Sequence, residues 1–516
     1  MSLNSMNLQQ LLACAAASGE WRVVHSSQNL AEVQVGCVTA DHRTVRCGSL
    51  FVAVRGARHD GHRFLESAVL AGAAAVVVEQ PQDFCPVPQI IVPDSSHAFA
   101  ALCMARQVGS RCPIVTAGIT GTNGKTTSTW MLRSILQAAG LRCGLTGTIE
   151  TSDGVRSQPS RMTTPPANDL AQHMSQLMQQ QATHHVMEVS SHALVQQRCS
   201  AVKLSAAAVT NVTQDHFDYH GNEDRYLTAK GRIAGLLHPD APLLLNLDDP
   251  GCRKLHDQLA GSVRLIPIAL NHPDADLTAE VLHHSHRSQR IRLRLAQGDA
   301  DLRLRLIGRH NVSNCLIAAG LAEQLGIRLS AIVEGLELLS CVPGRLERVD
   351  EGQPFQVLVD YAHTPDALVH CLETIRRFVP GRLLCVFGAG GDRDVSKRPL
   401  MGQAASEADY CIVTSDNPRS EDPLQIARQI VAGFPAGTEF EVEPDRRSAI
   451  LRAFELAEPG DVVLLAGKGH EGLQEIGTQQ LAFDDRLVAR ELLRFLEINQ
   501  HTLPLRPAFH LQRSAS

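Results

Sequence analysis

Pro113-Ile-Val-Thr-Ala-Gly-Ile-Thr-Gly-Thr-Asn-Gly-Lys-Thr-Thr127 is the stretch that decides the fold. Residues 113–118 are mostly apolar and read as a buried strand. Residues 128–139 then read as a helix. A strand, a glycine-rich turn and a helix in that order make a phosphate-binding loop. Glycine lets the backbone turn its N–H groups toward phosphate oxygens, and the helix N-terminus adds its positive end. Gly121, Thr122, Asn123, Gly124, Lys125, Thr126 and Thr127 are therefore the expected nucleotide contacts. Lys125 can reach the terminal phosphates, and the Thr126 hydroxyl can ligate Mg²⁺. The strict spacing asks for glycine at 119, but Ile119 stands there and Gly118 precedes it. The loop is a variant, one residue longer.

Working outward, a chain of 516 residues is long enough for about three domains. The predicted fold class is α/β. Residues 1–109 form an N-terminal α/β domain, with strands at 49–54 and 74–78, a helix at 63–73 and a polar loop at 55–61. Residues 110–342 form the central phosphate-loop domain on a parallel sheet, with further strands at 185–187, 206–210 and 242–246. Within it, residues 261–306 change texture. Ile291-Arg-Leu-Arg-Leu and Leu302-Arg-Leu-Arg-Leu alternate with period two and predict an antiparallel β insertion. Residues 343–499 predict a Rossmann-like sheet with strands at 355–360, 383–387, 410–414 and 461–466. Residues 500–516 read as a tail.

Composition removes whole classes of function. Lys plus Arg number 48 against 54 Asp plus Glu, a formal charge of −6, so no large nucleic-acid footprint is expected. Aromatics at 4% argue against a single-strand stacking surface. The 14 cysteines are scattered without C-x-x-C, which suits reduced thiols in the cytosol. No secretory signal and no run near the ~18 apolar residues of a membrane helix is seen. A cytoplasmic protein is expected.

Other chemistry-bearing residues cluster after strands, where a doubly wound sheet places its site. Glu188 follows residues 185–187 and could hold Mg²⁺ beside Thr126. Asn211-Val-Thr-Gln-Asp-His-Phe-Asp-Tyr-His220 follows another strand; two histidines and two acids there fit zinc, magnesium or a plain polar loop. In the last block, loops 388–394, 415–419 and 467–471 each follow a strand. Arg393 and Arg419 could grip carboxylates bidentately, and Asp416 and Glu471 could bind an ammonium. That pairing of charges suits a zwitterionic amino acid.

The motifs TGTNGKTT, EVSSHALVQQR, TNVTQDHFDYHG, GRHNVSN, VPGRLE, VDYAHTPDAL, FGAGGDRDVSKRPLMG, DNPR and AGKGHE occur in this order. Together they resemble the Mur ligase family over residues 33 to 495. The resemblance implies a UDP-sugar-binding N-terminal domain, a central ATPase domain and a C-terminal domain that binds an amino acid. It implies ATP-dependent ligation of meso-diaminopimelate to UDP-N-acetylmuramoyl-L-alanyl-D-glutamate through an acyl phosphate, for peptidoglycan synthesis, with ATP and Mg²⁺ required. It marks Lys230 as a carboxylated lysine that helps hold a second Mg²⁺ with Glu188 and His216. Asn311, Asn314, Arg345, Asp360 and His363 match positions that line the nucleotide. Thr163, Thr164, Ser190, Gln196 and Arg198 match contacts of the UDP-sugar peptide. Arg393, Asp416, Asn417, Pro418, Arg419, Gly467 and Glu471 match the diaminopimelate site, where lysine-adding relatives usually differ. His42 stands where relatives often have serine near the uridine. A monomer is expected, with no nucleic-acid partner and no membrane span. A lysine-adding ligase, a folyl-polyglutamate-type synthetase and a nucleotide-dependent switch are the alternatives. The last lacks an Asn-Lys-x-Asp guanine-reading segment.

Overall fold

The computed structural model describes residues 6–15, 21–24, 29–56, 59–83, 85–213, 215, 217–285 and 287–502. The chain divides into two compact units. The first contains residues up to 283, with 289–304 and 310–339; the second contains 284–288, 305–309 and the residues from 340 onward. All 14 cysteines are free.

The first unit carries two large sheets. The smaller has five strands in the order Arg22–Val24, Gln89–Ile91, Ala73–Val78, Ser49–Val52, Cys37–Thr39. All its pairings are parallel except the first. The helix predicted at 63–73 is shorter. A 3-10 turn, Gly61–Phe64, leads into a helix at Leu65–Leu70. Asp60 caps the turn by accepting from the His62 N–H.

The larger sheet has eleven strands, and its middle is parallel. Cys143–Thr146, His184–Glu188, Val115–Thr120, Ala206–Val209, Pro242–Asn246, Arg264–Ala269 and Leu277–His284 follow one another in parallel register. Cys143–Thr146, Ala206–Val209 and Pro242–Asn246 are buried at every position, as strands covered on both faces must be. Glu188 pairs with Ile119, and Val209 with Thr120. The carboxyl ends of three strands are thereby level, and the loops leaving them share one edge.

Two bounds need correcting here. The antiparallel β insertion expected over residues 261–306 is present but narrower. Arg264–Ala269 and Leu277–His284 extend the central sheet in parallel, and only the hairpin of Gln289–Leu295 with Gly298–Leu304 is antiparallel. Its alternation arises because one face packs inward while Arg290, Arg292 and Arg294 sit on the other. The phosphate-loop helix also begins earlier than 128, at Lys125. Gly124 caps it at φ +86°, a conformation glycine adopts without strain, so Lys125 and Thr126 lie in the first helical turn.

The second unit holds a six-stranded sheet, ordered Glu347–Val349, Gln356–Asp360, Val462–Ala466, Leu383–Phe387, Tyr410–Val413, Phe440–Val442. Only the first pairing is antiparallel. Leu383, Cys385 and Phe387 enter one apolar cluster, and Leu384 and Val386 enter another. Period-two strands with both faces buried need helices on both sides. The last helix, Asp485–Thr502, runs past residue 499, where the tail was expected to start. No helix among the described residues is long and apolar enough to cross a membrane.

Candidate active site

The phosphate loop leaves Val115–Thr120 and is clamped by the neighbouring strand end. Asn211 Oδ1 accepts from the Asn123 N–H at 2.8 Å, and Thr210 Oγ1 donates to the Asn123 carbonyl at 2.5 Å. Thr122 Oγ1 accepts from the Thr213 N–H and meets the Tyr226 hydroxyl at 3.2 Å. A Cβ at Gly121 would strike the Thr210 hydroxyl, and one at Gly124 would strike Asn314 Oδ1. Both glycines are thus demanded by close approach as well as by positive φ. Asn314 Nδ2 donates to Asn311 Oδ1, and Asn314 Oδ1 accepts from Ser128, which joins the two predicted asparagines to the loop helix. Lys125 Nζ lies over the loop, donating to the Gly121 and Thr122 carbonyls at 2.8 and 2.9 Å.

Glu188 is fully buried at the end of its strand. Its Oε2 accepts from the Thr126 and Thr148 hydroxyls, both at 2.9 Å, and its Oε1 from the Thr148 N–H at 2.7 Å. A Cβ at Gly147 would lie within 2.4 Å of Oε1, so only glycine leaves the carboxylate room. The Glu188 carbonyl accepts from Thr164 Oγ1 at 2.8 Å, and Thr164 Oγ1 in turn accepts from the Ser190 N–H at 3.0 Å. Thr163 meets the Thr148 hydroxyl. Arg198 donates to the Thr164 carbonyl and to Gln196 Oε1, and Gln196 donates to the Tyr219 hydroxyl. The five residues predicted for the sugar peptide therefore form one network, joined to the phosphate loop through Glu188.

Lys230 is 1% exposed, with its Nζ 4.4 Å over the Tyr226 ring. Burial, and then the Lys125 charge, hold its amine well below the usual lysine range, against the pull of Asp215 and Asp249. His216 lies outside the described residues. Among the described residues no group of three or more His, Cys, Asp or Glu is arranged to hold a metal. His42 stacks on Phe64 at 4.2 Å in the N-terminal sheet's loops. Beside it, hydrogen bonding to Arg43 holds the Asp41 carboxyl down at about 2.

In the second unit, Arg345 lies over the Tyr361 ring at 4.7 Å, and His363 packs against the same ring. Asp360 accepts from the Leu346 and Ala362 N–H groups; burial pushes its carboxyl up against the pull of Arg345. The three predicted nucleotide positions of this unit thus meet around Tyr361, which the sequence reading did not single out.

The three loops predicted to bind an amino acid also meet. A Cβ at Gly467, where φ is +111°, would sit 2.7 Å from Asp416 Oδ2. Asn417 Nδ2 donates to Glu471 Oε2 at 2.9 Å, and the buried Lys468 reaches both residues. Burial, then Asp416, push the Glu471 carboxyl up, offset by Lys468. The Pro418 carbonyl abuts Gly391, where any Cβ would collide with it. Arg419 Nη1 donates to the Gly391 carbonyl, and Arg393 is exposed on the same loop. Two buried arginines brace these loops. Arg398 pairs with Glu421 and donates to the Gly390 carbonyl; Arg446 pairs with Asp485 at 2.6 Å and donates to the Ala466 carbonyl, beside Gly467. The hydrogen bond from Arg398 holds the Glu421 carboxyl at about 2.

Sequence reasoning missed Thr148, Thr210, Tyr361, Lys468, Arg398 and Arg446. Gly147-Thr148 follows a strand, which was its only local signal.

Comparison with known proteins gives the family. The description "Mur ligase family, catalytic domain" matches residues 34–107, "Mur ligase middle domain" matches 119–322, and "Mur ligase, glutamate ligase domain" matches 344–469. The UDP-N-acetylmuramoyl-L-alanyl-D-glutamate–2,6-diaminopimelate ligase of Gloeobacter violaceus is 41% identical, over 95% of this chain and 98% of the relative. The protein of the same name from Geobacillus thermodenitrificans is also 41% identical, over 95% and 99%. A solved structure of a UDP-N-acetylmuramoyl-L-alanyl-D-glutamate–2,6-diaminopimelate ligase superposes with TM-score 0.68 at 31% identity, covering 96% of this chain and 99% of that one. With matches over all three sheets and close relatives aligned nearly end to end, the chain belongs to the Mur ligase family.

Proposed function

We propose that this protein joins meso-2,6-diaminopimelate to UDP-N-acetylmuramoyl-L-alanyl-D-glutamate, using ATP, in peptidoglycan precursor synthesis. Glu188 carries the reading: its carboxylate receives the phosphate-loop Thr126, while its main-chain carbonyl receives the acceptor-site Thr164. The phosphate loop and the loop read as the acceptor site are thereby held to one buried residue. A D-glutamyl carboxylate oxygen attacks the γ-phosphorus, ADP leaves, and an acyl phosphate forms. The neutral diaminopimelate amine then attacks the acyl carbon, its nitrogen gives up a proton, and inorganic phosphate leaves as the amide forms. Lys125 leaves its loop carbonyls for the transferring phosphoryl and stabilises its charge. Thr163, Thr164, Ser190, Gln196 and Arg198 orient the sugar peptide. Asn311, Asn314, Arg345, Asp360 and His363 serve the nucleotide, and His42 the uridine end. Arg393 and Arg419 take carboxylates of the amino acid, and Asp416 and Glu471 its ammonium, with Asn417, Pro418 and Gly467 shaping the loop between them.

The hydroxyl of Thr126 and the carboxylate of Glu188 are hard oxygen donors in a cradle that Gly147 keeps open, and they suit Mg²⁺. Bound there, the ion would neutralise charge on the phosphate oxygens, and Glu188, His216 and a carboxylated Lys230 would hold a second one. In this reading the enzyme works as a monomer in the cytoplasm. Its domains are residues 1–109, 110–342 and 343–499, with a tail at 500–516; the three sheets, spanning 22–91, 115–304 and 347–466, support that division.

Mass spectrometry of the products from ATP, the UDP-sugar dipeptide and a diaminopimelate/lysine mixture tests this. Diaminopimelyl product is expected in excess; a lysyl product or ATP hydrolysis without a new amide contradicts it. Arg419→Ala should raise the KM for diaminopimelate at least about tenfold, with the KM for ATP changed much less, because an Arg–carboxylate pair is lost. Steady-state kinetics in each substrate separates the two.

A further inference from the structure

Residues 472–484 lie between the AGKGHE motif and the last helix, and no motif reading reached them. They form a hairpin, Leu473–Ile476 with Gln479–Ala482. Its first strand is laced to loop 416–419 almost residue by residue. Gln474 Nε2 donates to the Asp416 carbonyl at 2.9 Å, and the Glu475 N–H donates to Asn417 Oδ1 at 3.0 Å. The Arg419 N–H donates to the Glu475 carbonyl at 3.0 Å, and the Gly477 N–H donates to the Arg419 carbonyl at 2.7 Å. Arg419 sits at φ +51°, in the left-handed region that a residue with a side chain rarely occupies unless its surroundings enforce it.

The side chain is held as firmly as the backbone. Arg419 Nε meets Glu475 Oε2 at 2.7 Å, and Nη1 donates to the Gly391 carbonyl at 2.9 Å. A guanidinium has five N–H donors in a rigid plane. With a carboxylate paired against Nε and one Nη1 donor committed to a carbonyl, the guanidinium is held from two sides and its remaining donors are offered in a set direction. A free arginine would have to lose its rotamer freedom at each binding event.

We infer that Glu475 is a specificity-determining residue, which positions Arg419 to accept the second carboxylate of the incoming amino acid. Resting on the proposed role of Arg419, this makes the hairpin part of the amino-acid site. Glu475 acts through Arg419 and touches no reacting atom.

Steady-state kinetics of the full-length enzyme with diaminopimelate and with lysine, which lacks the second carboxylate, tests it. Glu475→Ala should raise the KM for diaminopimelate by about fivefold to tenfold, the freedom of one long side chain. The kcat/KM for lysine should move by less than about twofold, so the preference between the amino acids falls. Glu475→Gln, which keeps the side chain's length and an oxygen beside Nε but not its charge, should restore part of the preference. An equal loss with both amino acids would mean a merely structural role and overturn the inference. So would an unchanged KM, or a lowered one, which would make Glu475 a competitor for Arg419. Arg419→Ala separates the two layers. A preference that survives Arg419→Ala overturns the reading of Arg419 itself; a preference lost there but intact in Glu475→Ala overturns only the role of Glu475.

Discussion

Lys125→Ala is expected to slow amide formation by at least about 10³-fold while the protein still folds. Phosphoryl transfer asks little covalent chemistry of a protein, so charge and position supply most of the acceleration. Lys125 is the cation of the phosphate loop, in the first turn of the helix Lys125–Ala138. Its amine donates to two main-chain carbonyls, those of Gly121 and Thr122. Removing the side chain leaves the Asn123 clamp to Thr210 and Asn211 intact. Initial rates of product formation, with a thermal melt alongside, check both halves. Near-full activity in Lys125→Ala would remove the loop from the mechanism.

Lys230 carries the second large effect. Lys230→Arg should be nearly as inactive as Lys230→Ala, both down by about 10²-fold or more. A lysine ammonium buried at 1% exposure is costly, and burial together with Lys125 favours the neutral amine. In the proposed carbamate a neutral amine adds CO₂: an N–C bond forms, one proton leaves, and a neutral group becomes an anion. Arginine keeps its positive charge and cannot make that change, however well it fills the space. Assays of both variants, with magnetic resonance of enzyme equilibrated with isotopically labelled CO₂, check this. A carbamate signal in the unaltered enzyme that vanishes in Lys230→Arg is expected. An active Lys230→Arg variant would contradict a negative charge at this position.

Much of the site was legible because its signals are local. The glycines at 121 and 124, Lys125 and Thr126 sit in consecutive positions whose spacing reflects the geometry of a phosphate. The strand ends at Glu188 and Asp360 could be read from apolar runs that stop at an acid. Illegible residues act across the sequence. Thr148 reaches Glu188 from forty residues away, and Arg446 reaches Asp485 over thirty-nine. Neither carries a neighbouring pattern, because its partner is supplied by a distant element, a strand end for Thr148 and a helix start for Arg446. The β region was read too wide for a different reason. Alternating Arg and Leu report that one face is wet, and an edge of the main sheet satisfies that as well as a separate sheet would. Glu475 was hidden by the same rule: in a short exposed hairpin its charge looks like solvation, and only the fold brings it to Arg419.

The fate of one oxygen atom tests the proposed chemistry most directly. With heavy oxygen in the D-glutamyl side-chain carboxylate, an acyl-phosphate route must transfer one labelled oxygen to inorganic phosphate for each amide formed. Phosphate carrying that label in proportion to product is the expected result. Unlabelled phosphate, released while the amide accumulates, would contradict the route.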